Sequence, residues 1–129
     1  MAVALCAALG ATLAPGAAWV LEAAGFAQAL EGVALCLTGE GQLDGQTPRG
    51  KAPWAVAQAC RAAGVPVVAI GGDLGPGVEA LSGPDGFAAV FSAQPGPSSL
   101  EDALDQAATR LEAVAEQVVR LFLAGGGAQ

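Results

Sequence analysis

The sequence predicts a three-layer α/β/α fold built around a parallel β-sheet. Short apolar runs alternate with helical segments along the chain, and stretches rich in glycine or proline separate them. This alternation is typical of strands joined by crossover helices, which give parallel sheets covered on both faces. The chain has 129 residues, so we expect one domain at most.

Three apolar runs are the candidate strands, over residues 33–38, 65–71 and 87–92. Continuous apolar runs of this length are typical of strands buried on both faces of a sheet. Three strands with their helices make half of a doubly wound sheet, whose outer strands would be open edges. We therefore expect either a homodimer formed through these edges or further strands supplied from elsewhere.

The helical segments fall between and around these strands. An apolar helix is predicted over residues 2–9, and a glycine-rich polar loop over residues 39–50. Residues 1–21 contain no charged side chain, but they lack the basic start of a signal peptide, and Gly10 and Pro15 interrupt the run. We therefore expect no membrane partner. The other predicted helices cover residues 17–24, 26–31, 51–63 and 77–82, and a long segment at the C-terminus.

The C-terminal helix has the clearest pattern. Ser98 and Glu101 have the spacing of a capping box, which predicts the start of the helix. The apolar residues that follow share one helical face, which predicts packing on the sheet rather than a coiled coil. These residues are Leu100, Leu104, Ala107, Leu111, Val114, Val118 and Leu121.

The composition limits the chemistry that is available. The formal net charge is −7 with five basic residues, so nucleic-acid binding is not expected. Histidine is absent, which removes the commonest general base and the commonest metal ligand. The chain has an odd number of cysteines, which are Cys6, Cys36 and Cys60. This number argues against a disulfide scaffold or a zinc site, and it favours a reducing, cytoplasmic setting.

The segment after the first predicted strand contains the candidate site. Parallel sheets bind ligands at the carboxyl ends of their strands, and the start of the following helix attracts anions. Glu40 and Asp44 could hold Mg²⁺ or accept a proton. Lys51 would lie at the start of the helix, where a cation is unfavourable for the helix itself, as happens at functional sites. Backbone amides could approach a ligand closely at Gly39, Gly41, Gly45 and Gly50.

The residues alone leave two interpretations of this segment open. It could be a loop that binds phosphate and metal, although it contains no P-loop motif. It could equally be a solvated turn in which Thr47 or Asp44 caps the helix and Lys51 points to solvent. Asp73 follows the second predicted strand at the same edge of the sheet, and it is either a site residue or a turn carboxylate.

The run TGEGQLDGQTPRGKAPWAVA at 38–57, followed by GVPVVAIGG at 64–72, is similar to a signature of the glycerate kinase family. The family pattern is close to TGEGxxDxQTxxGKxP, and the chain matches every fixed position. Weaker similarity covers most of the remaining chain. Residues 1–129 therefore resemble the C-terminal portion of the family's α/β domain, which is Rossmann-like or flavodoxin-like, without its N-terminal part or the second domain.

The resemblance implies a kinase that uses ATP and Mg²⁺ to phosphorylate D-glycerate, giving 2- or 3-phosphoglycerate. It implies catalytic roles for Asp44, as acceptor of the hydroxyl proton, and Lys51, which would offset charge on the transferred group. Glu40 and Asp44 become the candidate metal ligands. The candidate contacts for substrate or phosphate are Thr38, Gly39, Glu40, Gly41, Gln46, Thr47, Asp73 and Arg49, the last at a variable position of the family.

Two other functions remain open at this stage. The chain could be a truncated, non-catalytic module that binds an anion or a nucleotide, or a structural protein that dimerises through its sheet edges. Turnover of ATP and D-glycerate would distinguish the kinase from these two alternatives. We expect the chain alone to be inactive, because the resemblance implies that the nucleotide and substrate surfaces are incomplete.

Overall fold

The computed structural model describes residues 6–8, 10, 12 and 14–127. Within them, three parallel strands form one sheet in the order β1-β2-β3, with β2 in the centre. The strands are β1 (Cys36–Leu43), β2 (Val67–Leu74) and β3 (Ala89–Ser92). The predicted parallel sheet and α/β class are confirmed.

The helices lie close to their predicted positions. The predicted helix over 2–9 falls mostly outside the described residues, although residues 6–8 are helical. Within the described ranges, no helix combines the length and the apolar character needed to cross a membrane. The helices are α1 (Gly16–Ala23), α2 (Phe26–Ala29), α3 (Ala52–Ala62), a 3₁₀ turn (Val78–Leu81), α4 (Leu100–Asp105) and α5 (Ala107–Ala124).

The first two strands run further than the sequence predicts. The predicted loop over 39–50 is wrong for residues 39–43, which continue β1, and β2 likewise continues to Leu74. Glycine explains the difference, because the two backbones approach each other very closely here. A Cβ atom on Gly39 would lie 2.7 Å from the carbonyl oxygen of Ile70, and one on Gly72 would lie 2.7 Å from that of Gly41.

The core lies between the sheet and α3. Val67 and Ala69 of β2 pack with Cys60 of α3 and with Phe87, which precedes β3. The Trp54 and Phe87 rings meet edge to face, with centroids 5.8 Å apart and an interplanar angle of 86°. This packing fixes α3, and therefore Lys51 at its start, against the strands.

The opposite face of the sheet is covered by α5, which completes the three layers. The predicted packing of this helix on the sheet is confirmed by its contact with β2, although its apolar face is only partly buried. On α5, Val118 is buried, whereas Leu111 and Leu121 are exposed, as are Leu100 and Leu104 on the preceding α4. The reason is that α5 packs chiefly on the single central strand, which cannot cover the full width of an apolar stripe.

The start of the last helical segment differs from the prediction by one residue. Ser99, rather than Ser98, caps α4, because its Oγ accepts a hydrogen bond from the Asp102 amide at 3.1 Å. The Ser98 hydroxyl donates instead to Gln94 Oε1 at 3.1 Å. The predicted single helix is also interrupted at Gln106, which separates α4 from α5.

We predict that Gly39→Ala lowers the free energy of unfolding by about 1–3 kcal/mol, because the added methyl group overpacks the β1–β2 contact. Gly41→Ala is a matched control, since it lies on the same strand and face and its Cβ would have no atom within 4 Å. Urea denaturation measures both variants. Equal free energies for the two variants would contradict the close approach of the strands.

We predict that stability falls above pH 9 partly through Cys60. Burial, together with the neighbouring Cys36 thiol, raises the pKa of Cys60 from 9.0 to about 12. The folded state therefore holds this proton more tightly than the unfolded state does, and the resulting stability is lost as the pH rises from 9 towards 12. Denaturation at pH 8, 9 and 10 should show a shallower decline for Cys60→Ala than for the parent chain; identical declines would exclude this role.

Candidate functional site

The site lies at the edge of the sheet where β1 and β2 end side by side. Gln42 lies opposite Asp73 in the strand register, and Leu43 lies opposite Leu74. Two hydrogen bonds tie the segments that follow: the Gly75 amide donates to the Leu43 carbonyl at 2.8 Å, and the Gly45 amide donates to the Pro76 carbonyl at 2.9 Å. These hydrogen bonds therefore fix the position of the residues after β1 relative to those after β2.

A tight turn holds Asp44 in place. Its amide donates to Thr47 Oγ1 at 3.1 Å, its carbonyl accepts from the Thr47 amide at 2.9 Å, and its Oδ1 accepts from the Gln46 amide at 2.9 Å. The Thr47 side chain is completely buried under this turn. The alternative in which Thr47 or Asp44 caps α3 is wrong, because the N-cap residue is Lys51 and no side chain caps the helix.

The Lys51 side chain joins the end of β1 to the start of α3. Its ammonium lies 3.4 Å from Glu40 Oε2 and 3.5 Å from Asp44 Oδ1, and it donates to the Gln42 carbonyl at 3.3 Å. The three side chains are between 19% and 31% exposed, so solvent screens these ion pairs only in part. We call Glu40, Asp44 and Lys51 the carboxylate–lysine cluster.

One oxygen in this cluster lacks a hydrogen bond. Glu40 Oε2 is buried, and its contact with Lys51 is an ion pair without the geometry of a hydrogen bond. Buried polar oxygens in folded proteins almost always accept a hydrogen bond, so such an exception calls for an explanation. An acceptor of this kind is available to a ligand hydroxyl or to a cation.

The cluster fits Mg²⁺ only in part. Among the described residues, no three His, Cys, Asp or Glu side chains converge on a common point. The carboxylates of Glu40 and Asp44 both contact the Lys51 ammonium. Because Mg²⁺ in proteins is commonly held by one or two carboxylates together with water and substrate phosphates, this pair suits an ion that arrives with phosphate oxygens. The metal site stays a prediction.

A cleft opens on the other face of the sheet, between the strand ends and the helices α4 and α5. Its inner part is a cavity of about 410 Å³, with Gly39, Glu40, Gly41, Ile70 and Gly72 on the sheet side and Ala107, Arg110 and Leu111 on the helix side. An adjoining cavity of about 520 Å³ shares Gly41, Gly72 and Gln94 with it, and adds Asp73, Ser98 and Ser99.

The structure brings together most of the residues predicted for the site. Glu40, Asp44 and Lys51 are in contact, and Gly39 and Gly41 form part of the cleft floor. Asp73 lines the outer cavity, where its Oδ2 accepts from Gln42 Nε2 at 3.5 Å. These residues lie at the same end of the sheet, and their assignment to a site and their individual roles stay predictions.

The remaining predicted residues lie apart from the cluster. Thr38 is half-buried within β1, and Thr47 is enclosed by the turn that it supports. Gln46 and Arg49 are exposed on the loop, and Arg49 forms no ion pair within the part of the chain that the structure describes. Their contacts with a ligand stay predictions.

Sequence reasoning missed three polar residues at this edge. Gln42 supplies a carbonyl to Lys51 and an amide to Asp73, although it stands at a variable position of the signature. Gln94 and Arg110 line the cleft. The sequence marks Arg110 only as one of five basic residues, and it is not among the apolar residues that define the predicted helix.

The fold and the site define an α/β protein with a cleft at the carboxyl ends of its parallel strands. Residues 1–123 match the model of the glycerate kinase family. The chain therefore belongs to the glycerate kinase family.

Three relatives named glycerate kinase show the same relationship. The protein from Halalkalibacterium halodurans is 42% identical over 110 residues, 85% of this chain and 29% of the relative. The Bacillus cereus protein is 37% identical over 122 residues, 95% of this chain and 32% of the relative. The Bacillus subtilis protein is 39% identical over 110 residues, 85% of this chain and 28% of the relative. The chain thus spans less than a third of the length of these relatives.

Proposed function

We propose that this chain supplies one wall of the active site of a glycerate kinase, which transfers a phosphoryl group from ATP to D-glycerate. Family membership and the names of the relatives support the kinase class. The observation that carries the proposal is the contact of one lysine with two carboxylates at the carboxyl end of β1. The product is 2- or 3-phosphoglycerate.

Phosphoryl transfer depends mainly on positioning and on neutralising the negative charge of the transferred group. Lys51 supplies a positive charge whose position is fixed by Glu40, Asp44 and the Gln42 carbonyl. This arrangement keeps the ammonium at the strand end instead of in bulk solvent. A phosphate that enters would compete with the carboxylates for the same ammonium.

Asp44 is suited to accept the proton of the glycerate hydroxyl group. Its Oδ1 is occupied by the Gln46 amide and by Lys51, whereas its Oδ2 makes no hydrogen bond within the described residues. The carboxylate is therefore oriented by one oxygen and free at the other, as a general base requires. Glu40 and Asp44 would also hold Mg²⁺, which when bound neutralises phosphate charge.

The complete activity belongs to a protein of the relatives' full length, because this chain covers 28% to 32% of them. We propose that the carboxylate–lysine cluster acts together with surfaces that lie outside the matched segment. On this proposal the chain alone is inactive, and the reaction takes place in the cytoplasm, where free Cys6, Cys36 and Cys60 remain reduced.

A second candidate is an anion- or nucleotide-binding module without turnover. The observation in its favour is the cleft itself, which has the Arg110 guanidinium group in its lining. The two candidates predict different experimental results. A binding module binds its ligand without turnover, whereas a kinase segment restores turnover when the rest of a full-length kinase is present.

We predict that a chimera in which this chain replaces the matched segment of the Bacillus subtilis relative phosphorylates D-glycerate from ATP. Asp44→Asn in the chimera should lower kcat by about 100-fold or more, since the hydroxyl proton loses its acceptor. Coupled-enzyme detection of ADP gives the rates.

Asp85→Asn is the matched control, because Asp85 is an exposed carboxylate that pairs with Arg61 away from the cluster. It should leave kcat unchanged. Thermal unfolding of each variant confirms that the chimera is folded. A folded chimera without turnover, or similar kcat values for the two variants, would remove Asp44 and its cluster from the reaction.

A further inference from the structure

Arg110 is held in place by uncharged oxygen atoms. Its Nη1 donates to Gln94 Oε1 and to Ser98 Oγ, the latter at 3.2 Å, and its Nη2 donates to Gln106 Oε1 at 3.2 Å. Its Nε makes no hydrogen bond within the described residues. Neutral acceptors fix the plane of the guanidinium group without cancelling its charge, which leaves donors and charge available for an anion.

Arg110 lacks a carboxylate partner although the chain is acidic, and the other basic residue without an ion pair among the described residues, Arg49, is exposed. Twelve acidic residues accompany five basic ones. Arg61 and Arg120 each contact a carboxylate, at 2.6 and 2.7 Å, and Lys51 contacts two. Arg110 is half-buried and has no carboxylate within 4.0 Å in the part of the chain that the structure describes. Its charge is therefore uncompensated where solvent access is reduced.

The cleft beside Arg110 has the shape and polarity of a site for a flat apolar group. Its floor is bare backbone at Gly39, Gly41 and Gly72, and a Cβ on Gly41 would enter open space. The walls include the apolar side chains Ala107 and Leu111, while Glu40 and Gln94 add polar groups to the lining. A cavity of about 410 Å³ is within the usual range for small-molecule sites, and a three-carbon hydroxy acid is too small and too polar to fill it.

We propose that this cleft is the nucleotide subsite, with the purine base on the glycine floor and a phosphate group on Arg110. The adjoining cavity supplies Asp73, Ser98 and Ser99 as partners for sugar hydroxyl groups. The proposal rests on the proposed function, because the nucleotide would be the phosphoryl donor. It adds Arg110 as a phosphate-binding residue in a cleft that Glu40 of the carboxylate–lysine cluster also lines.

Binding to the 129-residue chain tests this proposal without any need for turnover. Isothermal titration calorimetry with ATP in the absence of metal, with adenosine, with inorganic phosphate and with D-glycerate separates base, phosphate and substrate contributions. Arg110→Gln should weaken ATP binding by about tenfold or more and leave adenosine binding unchanged. Arg120→Gln is the control, because Arg120 lies on the same helix and pairs with Glu116.

Gly41→Val provides an independent variant, since its side chain would occupy the cleft floor and weaken both ATP and adenosine. Urea denaturation confirms that each variant is folded. Unchanged ATP affinity in folded Arg110→Gln, an absence of ATP binding by the parent chain, or binding of D-glycerate through Arg110 in place of ATP would overturn the proposal. Because the chimera assay measures turnover and this assay measures binding, a failure of the subsite is distinguishable from a failure of the kinase function.

Discussion

The contact of Lys51 with Glu40 and Asp44 is the interaction on which the site depends. It joins a residue inside β1, a residue of the following turn and the N-cap residue of α3, so all three must be correctly placed. A cation at the start of a helix is unfavourable, because the helix dipole is positive there, and the two carboxylates offset that cost. The packing of Trp54 of α3 against Phe87 keeps the helix, and with it the ammonium, at this edge.

The carboxyl-terminal half of β1 contributes residues to both faces of the sheet. The Glu40 side chain contacts Lys51, and Glu40 also lines the cleft beneath α5 together with its neighbours Gly39 and Gly41. Alternation along a strand places successive residues on opposite faces, so one short segment can contribute to two surfaces. If Arg110 binds the nucleotide as proposed, the nucleotide extends across this edge of the sheet. The alternation of glycine and glutamate in the signature then provides glycine for the cleft floor and glutamate for the contact with Lys51.

The sequence predicts the order of elements well, because buried parallel strands are continuous apolar runs and their helices are amphipathic. It does not predict that β1 continues through Gly39 and Gly41, since glycine disfavours strands and only the close approach of β2 makes it necessary here. The signature selects Glu40, Asp44 and Lys51, but their mutual contact depends on the turn closed by Thr47. Arg110 is distant in sequence and belongs to no motif, so only the folded chain reveals its place in the cleft.

The most direct test of this account uses the fact that Lys51 is the only lysine in the chain. Lysine-selective ¹³C and ¹⁵N labelling therefore gives one set of side-chain NMR signals, which report on the carboxylate–lysine cluster alone. The account predicts signals displaced from their positions in the unfolded chain, which move further on addition of inorganic triphosphate and do not move with adenosine. Signals at unfolded-chain positions in the folded protein, unaffected by triphosphate, would contradict it.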